Sequence, residues 1–328
     1  MADVARTAGV SNQTVSRVLH GSPRVRDETR ERVLAAVRRL DYRPNVLARA
    51  LVTGRSAMLG VVFCDALLFG PAASLVGVEQ AAADAGYVVS VVGLKSLTGD
   101  SVVGAIERLQ EQRVEGIVLI SPRASIAQAL TQTPTTVPLV MLGAWQHKLA
   151  PSVEVDQVAG ARMATEHLLG LGHATVWHIS GPPEWTETPR RIEGWRAALT
   201  AAGADVPAPL VGDWGAPAGY SAGRRLAADP AVTAIFTTND HVALGLLRAL
   251  HEAGRDVPGE VSVVGYDDIP EAAYFTPPLT TVNQDFGEVG RRGLALLLEA
   301  IEGRERRTDL EQVPPTLVVR ASTAEAHT

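Results

Sequence analysis

Residues 3–20 decide the fold of the first part of the chain and read DVARTAGVSNQTVSRVLH. Val4 and Ala8 lie about one helical turn apart, and Gly9 interrupts the run to which they belong. Ser11 then offers a side-chain oxygen that can cap a second helix. Two short helices joined by a tight glycine turn predict a helix-turn-helix, and the second helix of such a motif can enter the major groove of DNA.

The second helix carries more polar side chains than a buried helix needs. Val15, Val18 and Leu19 share one face and are expected in the core. Side-chain amides can recognise adenine edges and arginine can recognise guanine. The residues of this helix expected to contact DNA are Asn12, Gln13, Thr14, Ser16 and Arg17. An ordinary polar helical hairpin is the alternative that this stretch alone leaves open.

Charge is divided unevenly along the chain. The 328 residues carry a formal net charge of -6, which taken alone argues against nucleic acid. The first 55 residues, however, hold eleven arginines and five acidic residues, which gives them +6 and leaves -12 for residues 56–328. A basic head on an acidic body is typical of a DNA-binding module joined to a sensor domain.

Composition limits the class of protein further. A chain that is 46% hydrophobic and 20% charged is long enough for a small domain and a large one. Cys64 is the single cysteine, which excludes a disulfide framework within one chain and suits a reducing cytosol. Neither a signal-peptide pattern nor a membrane-spanning apolar run occurs in the sequence. We therefore expect a cytoplasmic, nucleoid-associated protein without a membrane partner.

A third helix and a short isolated helical segment follow the first two helices. Acidic residues begin the third helix, predicted over Asp27–Leu40, and arginines end it. Its expected core residues are Val33, Leu34, Val37 and Leu40. Pro44 cannot continue this helix, and residues 45–51 then have a helical pattern that Gly54 ends. Two turns are not stable alone in water, so a plain linker is the alternative.

These motifs resemble the lac repressor (LacI/GalR) family of bacterial transcription regulators. The segment Val10-Ser11-x-x-Thr14-Val15-Ser16-Arg17-Val18-Leu19 is similar to the family's recognition helix, and residues 43–51 resemble its hinge helix, which folds on operator DNA. The resemblance implies DNA contacts from Asn45, Arg49 and Leu51, with Leu51 and its dimer mate wedged into the minor groove. Members usually carry a few residues before the first helix. Because this chain begins at Met1, we expect either that phosphate contacts from that lead-in are missing or that the start lies further upstream.

From Ser56 onward, apolar strands alternate with helices. Repeated βα units predict parallel sheets covered on both faces, and two such halves indicate a two-lobed sensor with a ligand cleft between the lobes. The expected strands are residues 59–63, 88–92, 116–120, 139–142, 175–179, 209–212, 234–237, 261–264 and 317–320. The resemblance implies a periplasmic-binding-protein-like core whose chain crosses between the lobes near residues 154, 285 and 313.

The expected architecture is an all-α helix-turn-helix head joined to an α/β sensor of two doubly wound parallel-sheet lobes. The divisions are a head over residues 1–43, a hinge helix and linker over 44–55, and an effector-binding and dimerisation domain over 56–328, with one lobe at about 56–154 and 285–312 and the other at about 155–284 and 313–328.

The sequence does not predict an enzyme. Gly219-Tyr220-Ser221-Ala222-Gly223 fits the nucleophile elbow of hydrolases, but no strand runs directly into the serine, so the glycines are expected to serve helix packing. No complete nucleotide-binding glycine motif occurs, and no cofactor is expected. The histidines at 167, 173 and 178 lack metal-site spacing and are expected to be structural. Asp240 is expected to cap a helix.

The resemblance also assigns an effector site at the strand ends. The matching effector-binding residues are Leu68, Arg191, Trp214, Asn239, Asp267 and Phe286. An arginine, an amide, a carboxylate and an aromatic ring suit a neutral polyhydroxylated ligand, because hydroxyls need fixed donors and acceptors and a ring face packs against C–H groups. Ala159 stands where the lac repressor has an acidic sugar contact, so we expect a different sugar or a different pose.

We therefore expect a sugar-responsive repressor that binds a pseudopalindromic operator. Its effector is expected to be a mono- or oligosaccharide. Residues 321–328 contain no leucine heptads, so a homodimer is expected rather than a tetramer. The alternatives are a corepressor mode, in which ligand tightens DNA binding, and a sugar-binding transport protein, which the basic head argues against.

Overall fold

The structure is a computed structural model. It describes residues 1–19, 22, 24–42, 55–64, 68–94, 98–120, 130, 135–143, 150–304 and 310–326. The chain forms two compact units, Met1–Ser56 and Ala57–Thr328. We describe each unit by itself. The expected hinge residues Asn45, Arg49 and Leu51 lie outside the described residues.

The first unit contains the expected helix-turn-helix. Its helices are α1 (Ala2–Ala8), α2 (Asn12–Leu19) and α3 (Asp27–Arg39). Gly9 ends α1 with a φ of 65°, a left-handed conformation that glycine adopts without steric cost. The Thr14 amide donates to Ser11 Oγ at 3.2 Å, so Ser11 caps α2 as its position predicts.

The core of the head differs from the expected one on α3. Val33 is fully buried, but Leu34 is 36% exposed and Leu40 is 41% exposed, so their placement in the core was wrong. Ala36 is buried instead. Leu34 points about 100° away from Val33 around the helix, and Leu40 follows the last helical residue. The remaining buried core residues are Val4, Ala5, Ala8, Val15, Val18 and Val25.

The second unit contains two six-stranded sheets, and each forms one lobe. The strands of lobe 1, in spatial order, are β11 (Leu310–Val313), β5 (Ser152–Val155), β4 (Leu139–Leu142), β3 (Gly116–Ile120), β1 (Met58–Cys64) and β2 (Val88–Leu94). All pairings in this sheet are parallel. The helices that cover it are α4 (Phe69–Asp84), α5 (Gly99–Glu111) and α10 (Phe286–Ile301).

Lobe 2 repeats the same strand order. Its strands, in spatial order, are β12 (Thr316–Val318), β10 (Thr280–Asn283), β9 (Ser262–Asp267), β8 (Ala234–Thr237), β6 (Trp177–Ser180) and β7 (Leu210–Val211). Its helices are α6 (Gln157–Gly170), α7 (Glu187–Ala202), α8 (Ala216–Leu226) and α9 (Asp240–Glu252), together with a 3₁₀ helix at Pro270–Tyr274. Helices α6 and α7 cover one face of the sheet, while α8 and α9 cover the other. The edge strand β12 pairs antiparallel with β10, which departs from a purely parallel sheet.

The chain passes between the sheets after β5, after β10 and after β11. Strands β5, β10 and β11 were not among the expected strands. All three are four residues long and contain polar side chains such as Glu154, Thr281 and Gln312, so they lack the apolar run of the central strands.

The glycines that resemble a nucleophile elbow lie inside helix α8, where they pack against α9. A Cβ on Gly219 would lie 1.9 Å from the Val242 carbonyl oxygen, and one on Gly245 would lie 1.8 Å from the Ala216 carbonyl oxygen. The two backbones can approach this closely only because these residues have no side chain. This agrees with the expected packing role, because no strand leads into Ser221.

We predict that Gly219→Ala destabilises the second unit. The added methyl group meets a backbone atom and cannot be relieved by a rotamer change, so the free energy of unfolding should fall by about 1–3 kcal/mol. Gly104→Ala is the control, because nothing lies within 4 Å of a Cβ built at that helical glycine. It should raise stability by up to about 1 kcal/mol. Urea unfolding followed by circular dichroism measures both, and equal midpoints for the two variants would contradict the packing argument.

Candidate functional site

A cavity lies between the carboxyl ends of the strands of the two lobes. It contains about 720 Å³ of space, its open mouth included. Doubly wound sheets bind ligands at this edge, where the strand order reverses. All six residues expected to bind an effector line this one cavity: Leu68, Arg191, Trp214, Asn239, Asp267 and Phe286. The fold therefore brings together residues that are up to 218 positions apart in the sequence.

Three groups of the protein hold the Arg191 side chain in the cavity wall. Its side chain is buried with only 3% of the residue exposed. Nε donates to Gln157 Oε1 at 2.8 Å, and Nη1 donates to the Thr238 carbonyl. The guanidinium carbon lies 3.9 Å from the centroid of the Tyr266 ring, which supports the cation by a cation–π contact. Arg191 is therefore pre-oriented before any ligand arrives.

Asp267 lies at the end of β9 and completes a buried hydrogen-bonded chain. Gln157 Nε2 donates to Gln284 Oε1 at 2.7 Å, and Gln284 Nε2 donates to Asp267 Oδ1 at 2.6 Å. The chain therefore runs from Arg191 through two glutamines to Asp267. Burial raises the pKa of Asp267 to about 6, and the nearby Arg191 limits the rise. Asp267 also has a φ of 106°, which aspartate tolerates better than most residues.

Sequence reasoning missed both glutamines of this chain. Gln157 and Gln284 are nearly fully buried polar residues at the first two crossings between the lobes: Gln157 begins α6 just after the first crossing, and Gln284 lies in the second crossing, directly after β10. Their position at a crossing was the available signal, because each crossing lies at the cleft edge. Only the fold shows that the two crossings are adjacent.

Asn239, and not Asp240, caps helix α9. Asn239 Oδ1 accepts from the Val242 amide at 2.8 Å, and its Nδ2 donates to the Trp214 carbonyl at 3.1 Å. Asp240 is instead fully buried, and it accepts from Thr281 Oγ1 at 2.6 Å and from the Ile269 amide. Burial, with Asp267 as a further contributor, raises the pKa of Asp240 well above its ordinary range. The expected cap was therefore wrong by one residue, and Asn239 positions Trp214 in the cavity wall.

Aromatic rings form two walls of the cavity. Trp185 and Trp214 meet edge to face with centroids 5.1 Å apart, and both line the cavity. Phe69 and Phe286 make a similar contact at 5.9 Å. Ring faces of this kind pack against the C–H groups of a sugar. Trp185 and Phe69 were not among the expected site residues.

Two further carboxylates line the cavity and were not expected there. Glu187 lies at the start of α7, and Glu154 lies in β5. Burial raises the pKa of Glu187 to about 7, although Arg191 lowers it. Burial also raises the pKa of Glu154, while Gln312 and Arg190 lower it. The cavity therefore offers many hydrogen-bonding groups, and burial makes each of these carboxyl groups easier to protonate than in water.

The histidines have structural positions. His178 is buried, its Nδ1 donates to the Phe236 carbonyl oxygen at 3.0 Å, and its ring stacks on the Phe236 ring. Burial lowers its pKa to about 4, so it is neutral at physiological pH. Within the ranges that the structure covers, no cluster of three or more metal-ligating side chains occurs. Nor does any helix in those ranges have the length and apolar composition needed to cross a bilayer.

The residues of α2 that are expected to contact DNA differ in how exposed their side chains are. Asn12, Gln13 and Arg17 are exposed, as direct contact with base edges requires. Thr14 and Ser16 are half-buried, and the Thr14 hydroxyl lies 3.0 Å from Ser11 Oγ. The three exposed side chains are thus the ones available for base contacts.

Comparisons with known proteins extend over the whole chain. A family model described as bacterial regulatory proteins, lacI family, matches residues 1–45, and a periplasmic binding protein-like domain matches residues 165–323. The lactose operon repressor of Escherichia coli (strain K12) is 33% identical over 328 residues, which cover 99% of this chain and 91% of the repressor.

Two solved structures are similar over 98% of both chains at 32% identity. The lac repressor dimer bound to operator and the anti-inducer ONPF has a TM-score of 0.86. The complex of the transcriptional regulator CelR with cellobiose has a TM-score of 0.73. The likeness thus includes the helix-turn-helix as well as both lobes.

We predict that Glu187→Gln raises the melting temperature more at pH 8 than at pH 5. The folded protein binds the Glu187 proton more tightly than the unfolded chain does, so the stability that this proton provides is lost as the pH rises through about 7. A neutral amide removes that loss. Glu193→Gln, at an exposed position on the same helix, is the control and should show no such difference. An equal gain in melting temperature at both pH values would show that burial does not raise the pKa of Glu187.

Proposed function

This chain belongs to the LacI family of bacterial regulatory proteins, and from that premise we propose that a neutral sugar binds in the cleft and releases it from operator DNA. As a member of the family it is a DNA-binding transcriptional regulator. The observation that carries the sugar proposal is the buried chain from Arg191 to Asp267, whose ends present a fixed donor and a fixed acceptor to the cavity.

Cavity chemistry supports a sugar over a charged effector. Arg191 balances one of the cavity carboxylates, and burial raises the pKa of Asp267 to about 6 and that of Glu187 to about 7. A strongly anionic ligand would be repelled by the carboxylates of the lining, and burial of a charged group without a partner is costly. Hydroxyls can donate to the carboxylates and accept from Arg191, while Trp214 packs against the ring. The similar CelR structure contains cellobiose, a neutral disaccharide.

The proposed switch acts through the crossings between the lobes. Gln157 follows the first crossing and Gln284 lies in the second. A ligand that contacts Arg191 and Asp267 is therefore connected to both crossings through the hydrogen bonds of these two glutamines. A change in lobe closure would then alter DNA affinity, and linkage requires that DNA alter sugar affinity by the same factor. We propose binding without catalysis, and action in the cytoplasm, where operator DNA is found.

A homodimer is the proposed assembly on DNA. The similar lac repressor structure is a dimer bound to operator. In this chain Val88 and Val91 on the edge strand β2 remain largely exposed, as expected of a surface that another copy covers. Two heads would then bind a pseudopalindrome with half-sites about one helical turn apart. Asn12, Gln13 and Arg17 are the proposed base contacts, with Thr14 and Ser16 beside them. Asn45, Arg49 and Leu51 are the proposed hinge contacts.

We predict that Asp267→Asn binds sugar about tenfold to hundredfold more weakly, because a charged hydrogen bond contributes about 1.5–3 kcal/mol. The wild-type protein is first screened by thermal shift against cellobiose, lactose, maltose, glucose and ribose. Isothermal calorimetry with each binding sugar then compares it with Asp267→Asn and with the control Asp205→Asn, which changes an exposed carboxyl of the same lobe.

Operator release is the second measurement on the same variants. Asp267→Asn should still bind operator but should need more sugar for release than the wild type and Asp205→Asn. Sugar-induced tightening of the wild-type complex would favour the corepressor mode. The absence of a shift with every sugar of the panel would contradict the sugar proposal.

We predict that Arg17→Ala loses preference for operator but keeps weak, salt-sensitive DNA binding. A bidentate arginine–guanine contact discriminates by about 1–3 kcal/mol, whereas the rest of the basic head supplies affinity for any sequence. The operator is a duplex selected by the wild-type protein from a randomised pool, and a scrambled duplex serves as reference. Arg32→Ala is the control, because it removes the same charge from an exposed position on α3. If both variants show the same ratio of operator to scrambled affinity, Arg17 does not contact a base.

A further inference from the structure

The lobe 1 wall of the cavity is almost entirely apolar. Its lining includes Leu68, Ile120, Leu142 and Phe286, whereas the lobe 2 wall carries most of the polar groups. Among the described lining residues, Glu154 is the single ionisable side chain that lobe 1 contributes. A lone carboxylate in an apolar wall needs a compensating contact, because burial of an unpaired charge is costly.

Only one oxygen of Glu154 has partners within the described structure. Oε1 accepts a hydrogen bond from Gln312 Nε2 at 2.9 Å and forms an ion pair with Arg190 Nη1. Oε2 is buried and has no hydrogen-bond partner there. The side chain is only 1% exposed. Native proteins rarely leave such an acceptor empty, and an unsatisfied buried group at a cavity wall marks a position that a ligand can complete.

Arg190 ties this carboxylate to the opposite lobe. Glu154 lies in β5 of lobe 1, and Arg190 lies in α7 of lobe 2, next to Arg191. Gln312, in β11, holds the same oxygen from the side of the third crossing. These contacts fix the orientation of the carboxylate, so Oε2 cannot turn away to find another donor. A second empty group lies on lobe 2, where Trp214 Nε1 is a buried donor without a partner among the residues described.

We propose that Glu154 is a specificity-determining residue of the cleft, whose Oε2 accepts a hydrogen bond from one hydroxyl of the sugar. This inference rests on the proposed function and names a contact from lobe 1. The ligand it selects is a neutral sugar with a free hydroxyl toward lobe 1, and sugars that are deoxygenated or O-alkylated at that position are discriminated against. The sugar then contacts Glu154 on one lobe and Arg191 and Asp267 on the other, so it bridges the lobes.

The competing explanation is that Glu154 serves only the ion pair with Arg190. A purely structural role predicts that its replacement weakens all sugars by the same factor. A direct contact predicts that the loss depends on one hydroxyl. Analogues of the sugar therefore separate the two explanations better than affinity alone.

The experiment compares the wild type with Glu154→Gln, which keeps the size of the side chain and an acceptor for Arg190 and Gln312. The probes are the sugars among cellobiose, lactose, maltose, glucose and ribose that bind the wild type, together with their monodeoxy and mono-O-methyl analogues. For the wild type, loss of one particular hydroxyl should weaken binding about tenfold to hundredfold, the usual range for a hydrogen bond to a charged group. Glu154→Gln should bind the parent sugar weakly and lose most of that discrimination, while discrimination at every other hydroxyl is retained.

Glu166→Gln is the matched control. It breaks the exposed ion pair with Arg162 in helix α6 and should leave every affinity ratio unchanged. If Glu154→Gln proves unfolded by circular dichroism, Glu154→Asp replaces it, because it keeps the charge and withdraws the oxygen by one methylene.

The outcomes separate this inference from the proposed function. Wild-type protein that binds no sugar of the panel contradicts the proposed function itself. Wild-type binding with an unchanged discrimination pattern in the Glu154 variant overturns this inference and leaves the proposed function intact. The inference is supported if Glu154→Gln loses discrimination at one hydroxyl of the sugar while Glu166→Gln keeps the affinity ratios of the wild type.

Discussion

The chain crosses between its two sheets three times, at the carboxyl ends of the parallel strands, and this constraint brings Gln157 and Gln284 together in the cleft. Because the first and second crossings are adjacent, Gln157 and Gln284 can share a hydrogen bond of 2.7 Å. That bond connects Arg191 on one side with Asp267 on the other. The buried polar chain is satisfied along its length, which is the condition under which a polar network in a protein interior gives rigidity rather than instability. A ligand site built this way is set before binding.

Two glycines allow the close packing that positions Arg191 in this site. A Cβ on Gly160 would lie 2.1 Å from the Tyr266 hydroxyl, so the absence of a side chain there makes room for the ring on which Arg191 rests. A Cβ on Gly194 would lie 2.2 Å from the Val158 carbonyl oxygen, so α6 and α7 can approach closely just beyond Arg191. The position of the cationic group thus depends on two glycines, Gly160 and Gly194, that are not among the residues lining the cavity.

Charge in the cleft is partly compensated by pairing and partly reduced by burial. Three carboxylates line it, but Arg190 pairs with Glu154, and burial raises the pKa values of Asp267 and Glu187 toward neutrality. The two lobes differ in character, since lobe 2 supplies most of the hydrogen-bonding groups and lobe 1 supplies apolar contacts and Glu154. The proposed sugar would meet both walls, because a pyranose has a polar rim and apolar faces.

The sequence by itself predicted the helix-turn-helix and most of the alternating strands and helices, because helical periodicity and apolar strands are local properties. The assignment of Arg191, Trp214, Asn239 and Asp267 to the cleft came from the resemblance to the family, and Arg191 lies within helix α7 rather than at a strand end. Short polar strands such as β5 and β10 carried no such pattern. Only the tertiary structure showed that Leu34 and Leu40 are exposed and that Asn239, not Asp240, caps α9. It alone also showed the burial and contacts of Gln157, Gln284 and Glu154. Each depends on a neighbour distant in sequence: Gln157 and Gln284 are 127 residues apart, and Glu154 and Gln312 are 158 apart. Local pattern decides what a segment becomes, whereas only the packing of the lobes decides which buried polar groups find a partner and which are left for a ligand.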